Sequence, residues 1–220
     1  ALNGYSMNEN VLIIPYYKHI KSDENELNML FEKCTVNHIN QISWKEYFYK
    51  PEVTFKIAYS DQAIALKFEV NEKYLRINNF QTNDPVWEDS CVEFFISFQQ
   101  PFYYNLEFNA FGVGLIGYGS DDRSLRTRLP NPIIEKIKSF STIKSISDRE
   151  DISWNLTLYI PLEVFKFETF QSLKGLNCTA NFYKCGDLLP EPHYLSWSLI
   201  SSSEPNFHLA EFFGKIKFAD

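Results

Sequence analysis

Two carboxylates stand at matched places in one short stretch of this chain. Glu93 interrupts an alternating run in which Val92, Phe94, Ile96 and Phe98 share one side. Glu107 does the same beside Tyr104, Leu106 and Phe108. A period of two marks half-buried strands. The Gln-Gln-Pro-Phe link between the runs fits a hairpin loop. If the hairpin closes symmetrically, Glu93 faces Glu107 across it. Like charges placed cross-strand repel. Such a pair calls for a cation, an Arg or Lys partner, or a polar ligand. Asn105 and Asn109 share the side of Glu107, and Trp87 stands at the entrance to the first run. An indole beside carboxylates and amides suits a sugar. The ring covers the C–H face, and the polar groups take the hydroxyl rim. Covering some tens of Å² of apolar surface contributes on the order of 1 kcal/mol per ring. Each hydrogen bond to a charged group adds roughly 1.5–3 kcal/mol. The sum corresponds to a dissociation constant of about 1 mM to 1 μM.

The same two carboxylates permit a second chemistry. A glycoside-acting enzyme needs a carboxyl pair about 5–5.5 Å apart for retention, or about 6.5–9.5 Å apart for inversion. This reading ranks below binding, because nothing obvious in the sequence raises one of the two pKa values selectively. No Gly-x-Ser-x-Gly elbow, Walker loop or dinucleotide fingerprint occurs. A haem reading would rest on Met7 or Met29, both outside the strand region. A scaffold that kept its fold and lost its site is the remaining alternative.

Composition narrows the partners. The net charge is −7 and the pI about 5.2, and the only basic cluster is Arg123, Arg126 and Arg128. A phosphate backbone would be repelled, so nucleic acid is not expected. No apolar run approaches the length of a membrane span. The Val11–Ile14 run is too short for the core of a signal peptide. A secreted or periplasmic setting is favoured, with no signal peptide legible. The four cysteines form no Cys-x-x-Cys pair, and Cys91 and Cys178 lie in apolar strand patterns. Buried free thiols are the expectation for them. No cofactor is indicated firmly.

The elements that must position these groups are mostly strands. Val53–Tyr59 and Ile64–Val70 alternate around a Ser60-Asp-Gln62 turn, giving a second hairpin. Trp154, Leu156, Leu158 and Ile160 alternate up to Pro161, and Cys178, Ala180 and Phe182 form another such run. Residues 143–146, 194–197 and 213–218 supply further short strands, and 11–17 a first one. Asp23-Glu-Asn-Glu26 fits a capping box opening a short helix through about Lys33. Glycines at 112, 114, 117 and 119 mark bends or close backbone approach. Residues 120–132 are expected to be an exposed loop. Trp44 and Trp154 are expected in the core. The 17% aromatic content suits strands. The fold class expected is all-β, an antiparallel β-sandwich with a short N-terminal helix and minor helical turns. One domain is expected over 1–220, with an N-terminal arm and helix at 1–44 and the sandwich at 45–218.

The stretch Asp84-Pro-Val-Trp87-Glu-Asp89-Ser-Cys-Val-Glu93-Phe-Phe resembles the signature of family 9 carbohydrate-binding modules. Later pieces are similar to a stand-alone bacterial branch of that family. They are Tyr103–Asn109, Asn181–Asp187, Pro192–Trp197, Phe207-His208 and Phe212–Gly214. The resemblance implies a β-sandwich that grips sugar chain ends, often alongside glycoside hydrolases. It implies that Trp87 and Trp197 are the two aromatics of the ligand clamp and that Glu93 binds hydroxyls. It also implies calcium as a structural ion. Asn105, Glu107, Asn109 and Lys184 join the candidate site by the direction in which they face. The expected partner is an oligo- or polysaccharide, plant- or host-derived, held without catalysis.

Overall fold

The computed structural model describes residues 10–146, 148 and 150–220. Met7 lies outside them. In chain order the first elements are β1 (Leu12–Ile14), α1 (Glu24–Phe31), β2 (Asn37–His38) and β3 (Gln41–Ile42). The two hairpins follow as β4 (Glu52–Tyr59) with β5 (Ala63–Glu72), and β6 (Cys91–Gln99) with β7 (Phe102–Asn109). Then come β8 (Gly114–Gly119), β9 (Thr127–Arg128), α2 (Asn131–Ile134), β10 (Lys138–Ser145) and β11 (Ile152–Pro161). The chain ends with β12 (Asn177–Cys185), β13 (Tyr194–Ser196) and β14 (Gly214–Phe218). Short 3-10 turns at Val86–Glu88, Arg123–Leu125, Leu162–Val164 and Ala210–Phe212 join them.

The strands form two sheets of a sandwich. One has nine strands, in the order β1-β14-β12-β6-β7-β8-β9, with β13 joining β12 and β3 joining β13. The other runs β10-β11-β5-β4-β2. Pairings are antiparallel except for β1 with β14. The core lies where the two inner faces meet. Phe55 of one sheet stacks on Phe182 of the other at 3.8 Å, and Phe94 stacks behind Phe182 at 4.9 Å. Trp154 is buried in this core, and Trp44 in a second cluster on the outer face of the nine-stranded sheet. The outer side of β6, β7 and β12 is therefore also largely covered. Loops carrying Phe207 and Phe213 pack there over Phe95, Tyr103 and Tyr183.

Both expected hairpins form, and the N-cap half of the expected capping box is in place, while the Glu26 carboxylate accepts from Lys21. The Asp23 side chain accepts the Glu26 backbone N–H at the start of α1. The stretch 120–132 departs from its expectation as a plain loop. It contains a 3-10 turn, strand β9 on the edge of the larger sheet, and α2. Alternation is unreadable in a two-residue strand, so this edge carries no periodic signal. The 1–44 segment is also more than an arm. Its first strand pairs with β14, and β2 and β3 extend both sheets.

Candidate functional site

The register of the β6–β7 hairpin sets Glu93 directly opposite Glu107 and Phe95 opposite Asn105. Partners across an antiparallel pair share a face. On the far side of β6, Cys91 pairs with Cys185 of β12. Glu93, Asn105, Glu107 and Cys185 thus come together on the outer face of the larger sheet. They form the floor of a cleft of about 400 Å³. Its walls come from five separate segments. Trp87 rises from the 3-10 turn before β6, and Asp187 follows β12. Arg123, Arg126 and Arg128 come from the β9 edge, Tyr194 from β13, and Asn206, Phe207 and His208 from the late loop. Trp87, Tyr194 and Phe207 keep part of their surface exposed.

The floor is acidic, and its carboxyls are largely buried. Glu93 is 3% exposed and Glu107 5%. Burial pushes the Glu93 carboxyl well above the usual carboxylate range, and the neighbouring Glu107 charge adds to this. Burial raises Glu107 as well, to about 7, against the hydrogen bond from Asn105 and the nearby Arg128 and Arg126 cations. Asp187 is raised to about 6 by burial and by Glu88. A hydrogen-bonded chain organises the basic side. Arg126 Nη2 donates to Asn105 Oδ1 at 2.6 Å, and Asn105 Nδ2 donates to Glu107 Oε2 at 2.7 Å. The Arg126 guanidinium also donates to the carbonyls of Ser120 and Tyr103 and lies 4.1 Å from the Tyr103 ring centre. Arg123 donates to Asn206, tying the β9 edge to the late loop. Gly117 keeps the floor open. A Cβ there would stand 2.5 Å from Asn105 Oδ1.

Of the seven residues singled out in the sequence, four meet at this cleft: Trp87, Glu93, Asn105 and Glu107. The other three lie elsewhere, each for a legible reason. Trp197 packs half-buried on the core, edge-on to Phe55 and Phe182 and over the backbone of Gly214. Strand parity puts it there. Tyr194 pairs with Cys185 on the cleft side, so Leu195 and Trp197 face inward. Asn109 is fully buried. Its amide donates to Asn79 O and Asp89, and its oxygen accepts from the backbone of Phe111 and Val113. Lys184 is sealed between the sheets, where its ammonium meets Glu72 at 2.8 Å, His193 Nε2 at 2.7 Å and Cys185 O at 2.9 Å. The contacts to His193 and the Cys185 carbonyl are hydrogen bonds, and the one to Glu72 is an ion pair. The sequence reading did not single out Tyr194, Phe207, Asp187 or the arginines as site residues. Parity with Cys185 signals Tyr194, and the isolated Arg123-Arg126-Arg128 cluster signals the β9 edge.

The resemblance assigns no particular residues to its structural calcium. Among the described residues, the only group of three or more His, Cys, Asp or Glu ligands close enough to share an ion is Cys91, Glu93 and Cys185. Two sulfurs do not suit a hard cation that takes six to eight oxygens.

The profile of carbohydrate-binding family 9 matches residues 23–218. The chain belongs to that family. A protein of Bacteroides uniformis ATCC 8492, provisionally described as carbohydrate-binding, shares 34% identity and superposes with a TM-score of 0.86. The match covers 94% of this chain and 98% of that one. A family 9 module from Caldicellulosiruptor kristjanssonii, solved with glucose, is 13% identical with a TM-score of 0.61 over 95% of each chain. The same organism's family 9 module with cellotriose gives 14% identity and a TM-score of 0.58, covering 96% of this chain and 94% of that one. The latter two likenesses show the sandwich fold. Comparison with curated proteins yields no match. The chain is thus a member of a carbohydrate-binding module family, and no helix among its described residues is long and apolar enough to cross a membrane.

Proposed function

We propose that this family 9 protein binds carbohydrate without transforming it, holding a short sugar end of a plant- or host-derived glycan in the outer-face cleft. The observation that carries this reading is the make-up of that cleft. Partly exposed Trp87, Tyr194 and Phe207 surround a floor of Glu93, Asn105 and Glu107, with Arg126 and Arg128 beside it. Rings supply apolar cover for a pyranose face, while the carboxyls, amide and guanidinium groups offer acceptors and donors to its rim. The volume sits at the lower end of ligand cavities, which suits a chain end rather than a long internal stretch. Strands and the Arg126–Asn105–Glu107 chain hold the polar groups in place, so little ordering cost opposes binding. A partnership with glycoside hydrolases, bringing them to their substrate, accords with this role.

A glycoside-acting reading draws on the opposed carboxyls. It is the weaker of the two, because it rests on the opposed carboxyls alone, in a chain that belongs to a carbohydrate-binding module family.

Titration calorimetry with glucose and cellotriose, followed by a glycan array, tests the proposal. Binding with a dissociation constant of about 1 mM to 1 μM, and recovery of intact sugar, is the expected result. Reducing sugar released from a chromogenic glycoside would replace it with the enzyme reading. Silence across the array would leave the sandwich as a scaffold.

A further inference from the structure

Three potential ligands meet at and just beneath the floor of the cleft, in a way that sugar binding does not require. Cys91 and Cys185 face each other across β6 and β12. The Glu93 Oε1 atom lies 3.2 Å from Cys185 Sγ and 3.9 Å from Cys91 Sγ. All three ligand atoms fall within 4.8 Å of one another. With bonds of roughly 2.3 Å to sulfur and 2.0–2.2 Å to oxygen, a tetrahedral centre sets its sulfur and oxygen donors about 3.5 Å apart. The two observed separations bracket that value. A soft divalent ion therefore fits between these atoms with side-chain adjustments of a few tenths of an ångström.

The geometry points to a zinc-type site formed by Cys91, Cys185 and Glu93, with its fourth position open to the cleft. Thiolates select zinc over calcium or magnesium. Three protein ligands with one open position is the pattern of a zinc site that exchanges its fourth ligand. Here that ligand is water or a hydroxyl of whatever occupies the cleft. Cys185 lines the cleft, which gives the ion a route in. Binding forms two metal–sulfur bonds and one metal–oxygen bond. The two thiol protons leave to solvent, and no electrons move. Two thiolates and a carboxylate around a doubly charged ion leave one net negative charge. Arg126 and Arg128 stand across the same cleft to balance it.

The site is tested without any sugar, so its failure is distinct from failure of carbohydrate binding. The full chain, kept reduced, is titrated with Co²⁺ and then with Zn²⁺. One equivalent of Co²⁺ should give a sulfur-to-cobalt charge-transfer band and tetrahedral visible bands. Zn²⁺ should bleach both, since it binds such donors more tightly. Cys91→Ser and Cys185→Ser should each weaken Co²⁺ binding at least 100-fold. Glu93→Gln should keep the charge-transfer band with binding weakened at least tenfold. Should either serine variant fail to fold, alkylation of the unaltered chain decides the matter. Zn²⁺ should slow modification of Cys185 and Cys91 at least tenfold while leaving Cys34 unchanged. A reduced, folded protein that shows no charge-transfer band overturns the proposal. So does a band that survives both serine substitutions, or thiols that Zn²⁺ does not protect. A Cys91–Cys185 disulfide that persists under reducing conditions overturns it as well.

Discussion

At the scale of single residues, the two tryptophans that the resemblance pairs do different work. Trp87 stands on a 3-10 turn with part of its ring exposed over the cleft, and Arg128 lies 5.9 Å from its ring centre. Trp197 presses on Phe55 and Phe182, with its ring against Gly214. Trp87→Ala should weaken sugar binding roughly five- to tenfold, the equivalent of about 1 kcal/mol of lost ring cover. It should leave the melting temperature almost unchanged. Trp197→Ala should do the opposite. Truncating a half-buried indole costs about 2–3 kcal/mol, a fall of roughly 5–10 °C in a domain of this size, with affinity intact. Calorimetric titration and thermal melts of the two variants check both halves, and a binding loss in Trp197→Ala would return that ring to the site. Alternation in the sequence placed the two glutamates on one face, but their direct opposition depends on a register shift between Ile96 and Gln99, since the Gln99–Phe102 end alone would set Glu93 opposite Phe108. The role of Trp197 was not legible, because a resemblance transfers a residue type while strand parity decides which way it faces. Counting from Tyr194 would have turned it inward.

At the scale of elements, the β7–β8 pairing places Gly117 opposite Asn105 and leaves no room for a methyl group. Gly117→Ala should push Asn105 aside and break the Arg126–Asn105–Glu107 chain. Sugar affinity should then fall at least tenfold while the sandwich still melts cooperatively. An unchanged affinity would show that this chain does not shape the site. The β5 and β12 strands are tied differently, by a buried polar bridge. Lys184 reaches across to Glu72, Trp154 Nε1 donates to the same carboxylate, and His193 accepts from Lys184. The Glu191 carbonyl and the edge-on Tyr49 ring complete the surroundings of His193. Burial and the adjacent Lys184 cation hold His193 down to about 3. Its folded pKa lies below its unfolded value near 6.5, so the unfolded chain takes up the proton first. The stability tied to neutral His193 is full above pH 6.5 and is lost as pH falls toward 3. The raised carboxyls of Glu107 and Asp187 act in the opposite sense, since they favour the folded state as pH falls through their folded values. A difference between two proteins isolates the histidine. Urea melts from pH 6 to 4 should show His193→Gln losing stability less steeply than the unaltered chain, by up to about 1.4 kcal/mol per pH unit. Parallel slopes would mean that His193 is already protonated in the folded protein.

At the scale of the whole molecule, alternation in the sequence revealed β4, β5, β6, β7, β11 and β12, because each has one face in the core and the other turned away from it, but it gave only the end of β10 and did not mark β8. It revealed little of what surrounds the cleft. The walls are loops and very short strands, brought together from residues near 87, 126, 187 and 207, and such segments have no period to read. The same limit blurred the N-terminal boundary. A sandwich beginning at residue 45 would leave out β1, whose Leu12–Ile14 pairs with Ile216–Phe218, and α1, whose Leu27 and Phe31 are buried. It would also leave out Ile20, Ile39 and Trp44, all buried. Strand β1 and the segment after β14 lock together around Tyr59, whose hydroxyl donates to the Ala219 carbonyl, while the Ala219 N–H donates to Ile14 O. Each of these apolar side chains contributes roughly 1.5–3 kcal/mol by burial. Together they approach the whole stability of a typical domain, about 5–15 kcal/mol. A fragment spanning 45–220 should therefore lack a cooperative melt and bind no sugar, although every cleft residue is present in it. Circular dichroism and a thermal scan of that fragment beside the full chain make the comparison. A fragment melting within a few degrees of the full chain would make the first 44 residues an accessory to the sandwich. The pairing of β1 with β14 and the burial of Leu27 and Phe31 argue that residues 12–44 are part of its foundation.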